Sequence, residues 1–183
     1  MPEGTNRFFV GAGFFRTPEV SPSEPNKVTF PFLEGGARFG FTEGWDVGMK
    51  YTMPGMFTGD LKFNMVDEDG FALAAGFGAG YVAVKSTDTS DDHHLKSEVL
   101  DLIFPLYVSY DFSEAFGVYM SPRFVLRYAQ SQQNLLGSAI GLRFGNSVGI
   151  FVEGGAAWDI TSNFKQYQVN SGFFFGSGPS VGK

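Results

Sequence analysis

The residues with the widest chemical reach are Asp91-Asp92-His93-His94. Imidazole and carboxylate side by side can hold zinc or another divalent ion. Their neighbours from Ser86 to Ser97 are Ser, Thr and Asp, so the stretch reads as a solvated loop tip. Asp67-Glu68-Asp69-Gly70 has the acids of a calcium loop but lacks the later ligands such a loop requires. It reads as a hairpin turn with glycine at a positive φ. A third set is spread along the chain. Its acids are Glu34, Asp46, Asp60, Asp101, Glu153 and Asp159, and its bases are Arg38, Lys50, Lys62, Arg123, Arg127 and Arg143. The two signs match in number. Such a set can line a selective ion path or fill a confined space as an electrostatic plug, and which it does depends on the elements that position it.

Those elements are strands. From Ala37 to Met65 the residues alternate strictly on either side of short breaks. Trp45, Val47, Met49, Tyr51 and Met53 share one parity, and Asp46, Gly48, Lys50 and Thr52 share the other. Phe57, Leu61, Phe63 and Met65 then alternate with Thr58, Asp60, Lys62 and Asn64. Side chains on a strand point to opposite faces with period two, so each strand has one apolar and one polar face.

The same pattern runs through the chain. Strands are expected at Arg7 to Arg16, Lys27 to Phe41, Trp45 to Met53, Phe57 to Met65 and Phe71 to Lys85. Five more follow at Glu98 to Asp111, Ala115 to Tyr128, Asn134 to Phe144, Val148 to Ile160 and Phe164 to Phe175. No amphipathic helical period interrupts them. About ten long strands, with tight turns at one end and longer polar loops at the other, predict a closed antiparallel up-and-down β-barrel in one domain. The barrel is expected over residues 7–175, with 176–183 a tail or tag remnant. Pro31, Pro105 and Pro122 fall inside these strands, where a missing N–H weakens a ladder; bulges or strand ends can absorb them.

Composition narrows the setting. The chain has 183 residues, no cysteine and a formal net charge of −6. No disulfide framework, thiolate metal site or cofactor motif is present, and without a basic patch nucleic acid is not an expected partner. There is no apolar run long enough for a transmembrane helix. Met1-Pro2-Glu3-Gly4 reads as the start of a mature or recombinant form.

A soluble ligand-binding barrel and a membrane barrel share this periodicity but face opposite ways. Three features favour the membrane. The polar face carries Gly36, Gly48, Gly76, Gly78, Gly80, Gly117, Gly137, Gly141, Gly149 and Gly155, which make room in a narrow lumen for inward aromatics such as Tyr107, Tyr119 and Phe151. The charges on that face balance, as a confined interior requires. The apolar face ends in aromatics: Phe41, Trp45, Phe71, Phe116 and Phe144 by the short turns, and Tyr81, Tyr128 and Trp158 towards the loops. Two aromatic girdles are a membrane-interface device.

With these features the chain resembles the bacterial outer-membrane β-barrel superfamily over Arg7 to Phe175. The aromatic final strand Y-Q-V-N-S-G-F-F-F resembles the signal read by the barrel-assembly machinery, although Gly176 to Lys183 follow it here. The resemblance implies a Gram-negative outer membrane, contact with its lipid and lipopolysaccharide, and the assembly machinery as a partner in biogenesis. A further protein partner through the loops is left open. Lipid-modifying barrels place His beside Ser on a strand, and no strand here holds a histidine. The outer-membrane aspartyl proteases resemble the chain in strand number and use Asp–Asp and Asp–His pairs at the loop end. Asp159 with His93 or His94 imitates that arrangement only loosely, in a much shorter chain.

The expected function is therefore non-enzymatic: a structural or loop-presenting outer-membrane barrel with a narrow, charge-plugged lumen. A small passive pore is the alternative, and a soluble ligand-binding barrel the second. Pairing through the turns puts Lys50 opposite Asp60. It also puts Asp101 opposite Val125, with Arg123 and Arg127 as diagonal neighbours.

Overall fold

A computed structural model describes residues 3–18, 27–53, 55–85, 96–129, 132–161 and 165–176. Ten strands follow one another: β1 Asn6–Pro18, β2 Lys27–Thr42, β3 Trp45–Thr52, β4 Met56–Glu68, β5 Phe71–Lys85, β6 Lys96–Ser113, β7 Phe116–Tyr128, β8 Gln132–Gly145, β9 Val148–Asp159 and β10 Lys165–Gly176. Each pairs antiparallel with its neighbours, and β1 pairs with β10, so the sheet closes into a barrel without an edge. Asp91-Asp92-His93-His94, the polar stretch at 86–95 and the tail at 177–183 lie outside the described residues.

The expected strands are all present, with ends adjusted by a few residues. β6 is the most extended, running 18 residues from Lys96 to Ser113. Asp69 and Gly70 both have positive φ, 50° and 82°, the conformation of a two-residue hairpin turn. The acids before Gly70 therefore shape a turn between β4 and β5.

The three internal prolines are accommodated in two ways. β3 has only 8 residues, and its pairing with β2 starts at Glu34↔Thr52. Pro31 lies beyond that point, so it pairs with Phe14 of β1 and owes β3 no hydrogen bond. Pro105 and Pro122 meet at one interruption. Paired residues on β6–β7 pass from Pro105↔Arg123 to Val108↔Met120, and those on β5–β6 from Gly78↔Ile103 to Ala75↔Leu106. The missing N–H groups thus fall where the ladders are already broken.

Burial decides which face is inside. Phe14, Leu33, Met49, Phe77, Ile140, Val152, Val169 and Phe173 are all exposed, whereas Glu34, Asp46, Asp101, Arg143, Asp159 and Asn170 are buried. A belt of large apolar side chains surrounds a polar interior, the inverse of a water-soluble barrel. This turns the chain into a transmembrane barrel and removes the soluble ligand-binding reading, since that barrel needs its apolar face within.

The aromatic girdle residues stand on the outer wall. Phe41, Trp45, Phe71 and Phe144 are exposed at the turn end and Tyr81, Tyr128 and Trp158 at the loop end. Phe116 is half-buried in a stack, its ring 5.3 Å from Phe112 and 5.2 Å from Phe144. Trp45 packs on Phe63 at 4.9 Å and Phe8 on Phe175 at 5.5 Å. Such offset and tilted pairs stiffen the rim where the barrel meets the interface.

Candidate functional site: the charged lumen

The lumen is built in layers from the polar parity of the strands. Towards the turn end it is aromatic. Phe9 of β1 and Phe151 of β9 meet edge to face at 6.3 Å, and Phe174 of β10 is 4% exposed beneath Arg7, whose guanidinium lies 5.1 Å from its ring. Glycines on the facing strands leave the space. A Cβ at Gly36 would lie 2.6 Å from Phe9 Cε1, and one at Gly172 would lie 2.8 Å from Phe151 Cε1. Tyr119 crosses Gly141, where a Cβ would stand 2.2 Å from its Cζ. The row that joins Tyr119 and Gly141 continues to Glu153, so the phenol is directed along the wall towards that carboxylate.

Beside this layer, β2, β3 and β4 hold the densest charge cluster. Asp46 is 0% exposed and accepts from Arg38 Nη1, while Lys62 Nζ lies 3.2 Å from its other oxygen. Arg38 Nη2 donates to Asp60 Oδ2 at 2.5 Å. Tyr107 of β6 donates its hydroxyl to the same oxygen at 3.3 Å, and its ring lies within cation–π range of Arg38 and Lys62, at 5.8 Å and 5.7 Å. Gly48 lets the cluster form: a Cβ there would sit 2.5 Å from Arg38 Nη2 and 2.6 Å from Asp60 Oδ1. Two carboxylates are thus held by two cations and a phenol, across four strands.

Five smaller groups share the rest of the wall. Lys50 Nζ lies 3.3 Å from Glu34 Oε2, and Asn170 of β10 donates to Glu34 Oε1 at 2.7 Å. Arg127 grips Asp101 with two bonds of 2.9 and 2.8 Å at the loop end. Arg143 donates to Asp111 at 2.7 Å and to the Gly145 carbonyl at 2.8 Å at the turn end. Glu153 accepts from Gln168 at 3.3 Å, and Asp159 accepts from the Thr161 amide at 3.0 Å. That bond lies within the turn that follows β9, and the histidines considered with Asp159 lie outside the described residues.

Two expected registers are corrected. Lys50 faces Thr58, and Asp60 faces Gly48. The β3–β4 turn closes tightly, with Thr52 directly opposite Met56 and the Gly55 amide donating to Thr52 C=O at 3.0 Å, so the hairpin is two residues shorter in register than a turn centred on Gly55. Lys50 finds its acid on the other side, on β2. Asp101 faces Arg127 directly, while Val125 faces Ile103 and Arg123 faces Pro105. The cause is again the turn. Ser113 pairs with Phe116 and a bulge separates Asp111 from Ser113, which moves every later partner along β7. Arg123 is therefore four positions from Arg127 along β7 and has no ion-pair partner among the described residues.

Four polar side chains of the site lay outside the expected set. Asp111 carries the parity of Asp101, and Arg7 the parity of Phe9, so counting along each strand points to both. Asn170 and Gln168 alternate with apolar residues on β10, but neutral amides are a weaker sign of a lumen than charges.

No family model matches the chain, and no curated protein matches it in sequence. Among solved structures it is similar to the outer membrane protease OmpT from Escherichia coli, at 10% identity and a TM-score of 0.54 over 94% of this chain and 96% of that one. It is also similar to the outer membrane protein Ail of Yersinia pestis, at 8% identity and a TM-score of 0.45 over 94% and 100%. At 10% identity the likeness to OmpT is one of fold. The chain shares with that outer membrane protein the architecture of a closed antiparallel barrel, the fold that its alternation and aromatic rims indicated.

Proposed function

We propose that the protein is a non-enzymatic structural or loop-presenting barrel of a bacterial outer membrane, its lumen narrowed by a charge plug. The observation that carries this reading is the Arg38–Asp46–Lys62–Asp60–Tyr107 cluster, whose carboxylates are consumed by cations and a phenol. A general acid or base needs a proton-transfer route to a substrate. Here Asp46 is fully buried between its two cations, and Asp101 is clamped by one arginine. An interior of about eight strands is just filled by side chains, and ten lie near that limit. The aromatic end of β10 is consistent with recognition by the barrel-assembly machinery, and the outer belt with surrounding lipid and lipopolysaccharide.

The test is conductance in a planar bilayer. The refolded wild type is expected to pass little current, and replacing Arg38, Asp46 and Asp60 together by Ser is expected to open a measurable channel. A large wild-type conductance, unchanged in that variant, refutes the plug. One observation favours the small passive pore as a second reading: Arg123 faces inward without a carboxylate partner among the described residues. In a conducting barrel it would favour anions, and Arg123→Glu would reverse the selectivity.

A further inference from the structure

Where the barrel closes on itself, the inward positions on the loop side of Phe9 and Phe174 are Gly11, Gly13 and Gly172. Side chains from the flanking strands lean over these glycines. An added Cβ at Gly11 would lie 3.6 Å from Glu34 Cγ of β2, and one at Gly13 would lie 2.7 Å from Asn170 Cβ of β10. Asn170 donates through Nδ2 to Glu34 Oε1 at 2.7 Å and stands directly opposite Glu153 of β9. The Tyr119 hydroxyl donates to Glu153 and lies within electrostatic reach of Glu34. Two carboxylates from opposite sides of the closing seam thus share one amide and one phenol.

The protein's own side chains leave two needs of this group unmet. Asn170 is 5% exposed, and its Oδ1 is buried without a hydrogen-bond partner. Because Nδ2 is committed to Glu34, Oδ1 is on the other limb of the amide, between Glu34 and Glu153. A buried carbonyl oxygen without a donor is costly. The donors around it are already committed: Gln168 Nε2 and the Tyr119 hydroxyl to Glu153, and Lys50 Nζ to Glu34. The second need is charge. Lys50 is the one cation paired with either carboxylate among the described residues. Arg143, a diagonal neighbour of Glu153, is held by Asp111 and the Gly145 carbonyl. Arg7 lies over Phe174, on the turn side of the aromatic layer. Water satisfies the amide oxygen but not the charge, whereas a cation answers both. The donors are all oxygens, without sulfur or imidazole, which suits hard ions. The Lys50 side chain is 38% exposed on a flexible stem, so it can swing out and free Glu34. The two carboxylates then balance a divalent charge.

We propose that Glu34, Glu153 and the Asn170 carbonyl oxygen form a lumenal site for a divalent, oxygen-seeking cation of the calcium class, which displaces Lys50 from Glu34. Bound there, the ion ties β2 to β9 and β10 across β1, where the sheet closes. The proposal rests on the closed barrel with its polar face inward and not on how well the lumen conducts. A conducting wild type therefore removes the plug and leaves this site standing.

The folded protein in dodecylmaltoside micelles is stripped with EDTA, moved to chelator-free buffer and titrated with calcium chloride. Heat of binding and thermal unfolding are followed. One saturable site per barrel and a rise in unfolding temperature are expected. Folding of each variant is checked by its altered gel migration when unboiled. Glu153→Gln and Asn170→Leu should each weaken binding by about ten-fold or more, at least what the loss of an outer partner costs a metal site. Asn170→Asp adds a carboxylate and should tighten binding, as should Lys50→Met, which removes the competing ammonium. Glu68→Gln with Glu114→Gln, at the turn end, should leave binding unaltered, and so should Asp91→Asn with Asp92→Asn. Wild-type affinity in both Glu153→Gln and Asn170→Leu overturns the site, as does loss of binding in the turn-end or Asp91/Asp92 variants. Unchanged affinity in Lys50→Met overturns the displacement of that lysine. Sodium chloride at equal ionic strength raising the unfolding temperature as much as calcium overturns the assignment to a divalent ion. No response to either salt assigns the Asn170 oxygen to water and overturns the proposal.

Discussion

Asp46 is the residue on which the plug can be tested most sharply. It is 0% exposed and holds both Arg38 and Lys62. Asp46→Ala removes the carboxylate that Lys62 pairs with, while Arg38 retains Asp60 at 2.5 Å. Breaking a buried pair by removing one partner costs about 3–5 kcal/mol. The side chains of Arg38 and Lys62 keep 23% and 18% of their surface open, and one of the two cations is still paired, so the cost falls towards the lower end of that range. Lys50→Ala is the control. Its side chain is 38% exposed, and Glu34 keeps its bond to Asn170 at 2.7 Å, so the change resembles the loss of a surface pair, about 0–1 kcal/mol. Urea unfolding in detergent micelles reads the difference. With a slope of about 2 kcal/mol per molar, Asp46→Ala should lower the midpoint by about 1.5 M and Lys50→Ala by less than about 0.5 M. The double variant Asp46→Ala/Lys62→Leu should recover part of the loss, because the stranded cation is gone. Equal midpoints for Asp46→Ala and Lys50→Ala would refute the argument that buried pairing holds this wall together.

Gly141→Ala places a Cβ 2.2 Å from Tyr119 Cζ and should destabilise the barrel by about 1–3 kcal/mol, with Tyr119→Ala on the same background relieving the clash; thermal unfolding of the two variants checks this. Asp101→Ala removes both bonds from Arg127, whereas Arg123→Ala removes no ion pair among the described residues, so Asp101→Ala should show the larger fall in unfolding temperature. A closed barrel with this outer belt should require detergent or lipid to remain dispersed, and its unboiled form should migrate apart from the boiled one on SDS gels; a folded monomer soluble in plain buffer would contradict the outward apolar face.

The alternation of Trp45, Val47, Met49 and Tyr51 with Asp46, Gly48 and Lys50 was enough to define strands, their faces and the inward parity of the charges. That is a local property: a strand's side chains reverse face at every residue whatever lies beside it. The glycines of the polar face were legible for a related reason, since a strand tolerates so many only where something large must pass, as Tyr119 does over Gly141. Which acid meets which base was not legible. Lys50 pairs with Glu34 on β2, Tyr107 reaches Asp60 from β6, and Asn170 meets Glu34 at the β1–β10 side of the closure. Such partners depend on where each turn closes and on a bulge between Asp111 and Ser113, and a shift of two residues preserves every face while replacing every partner.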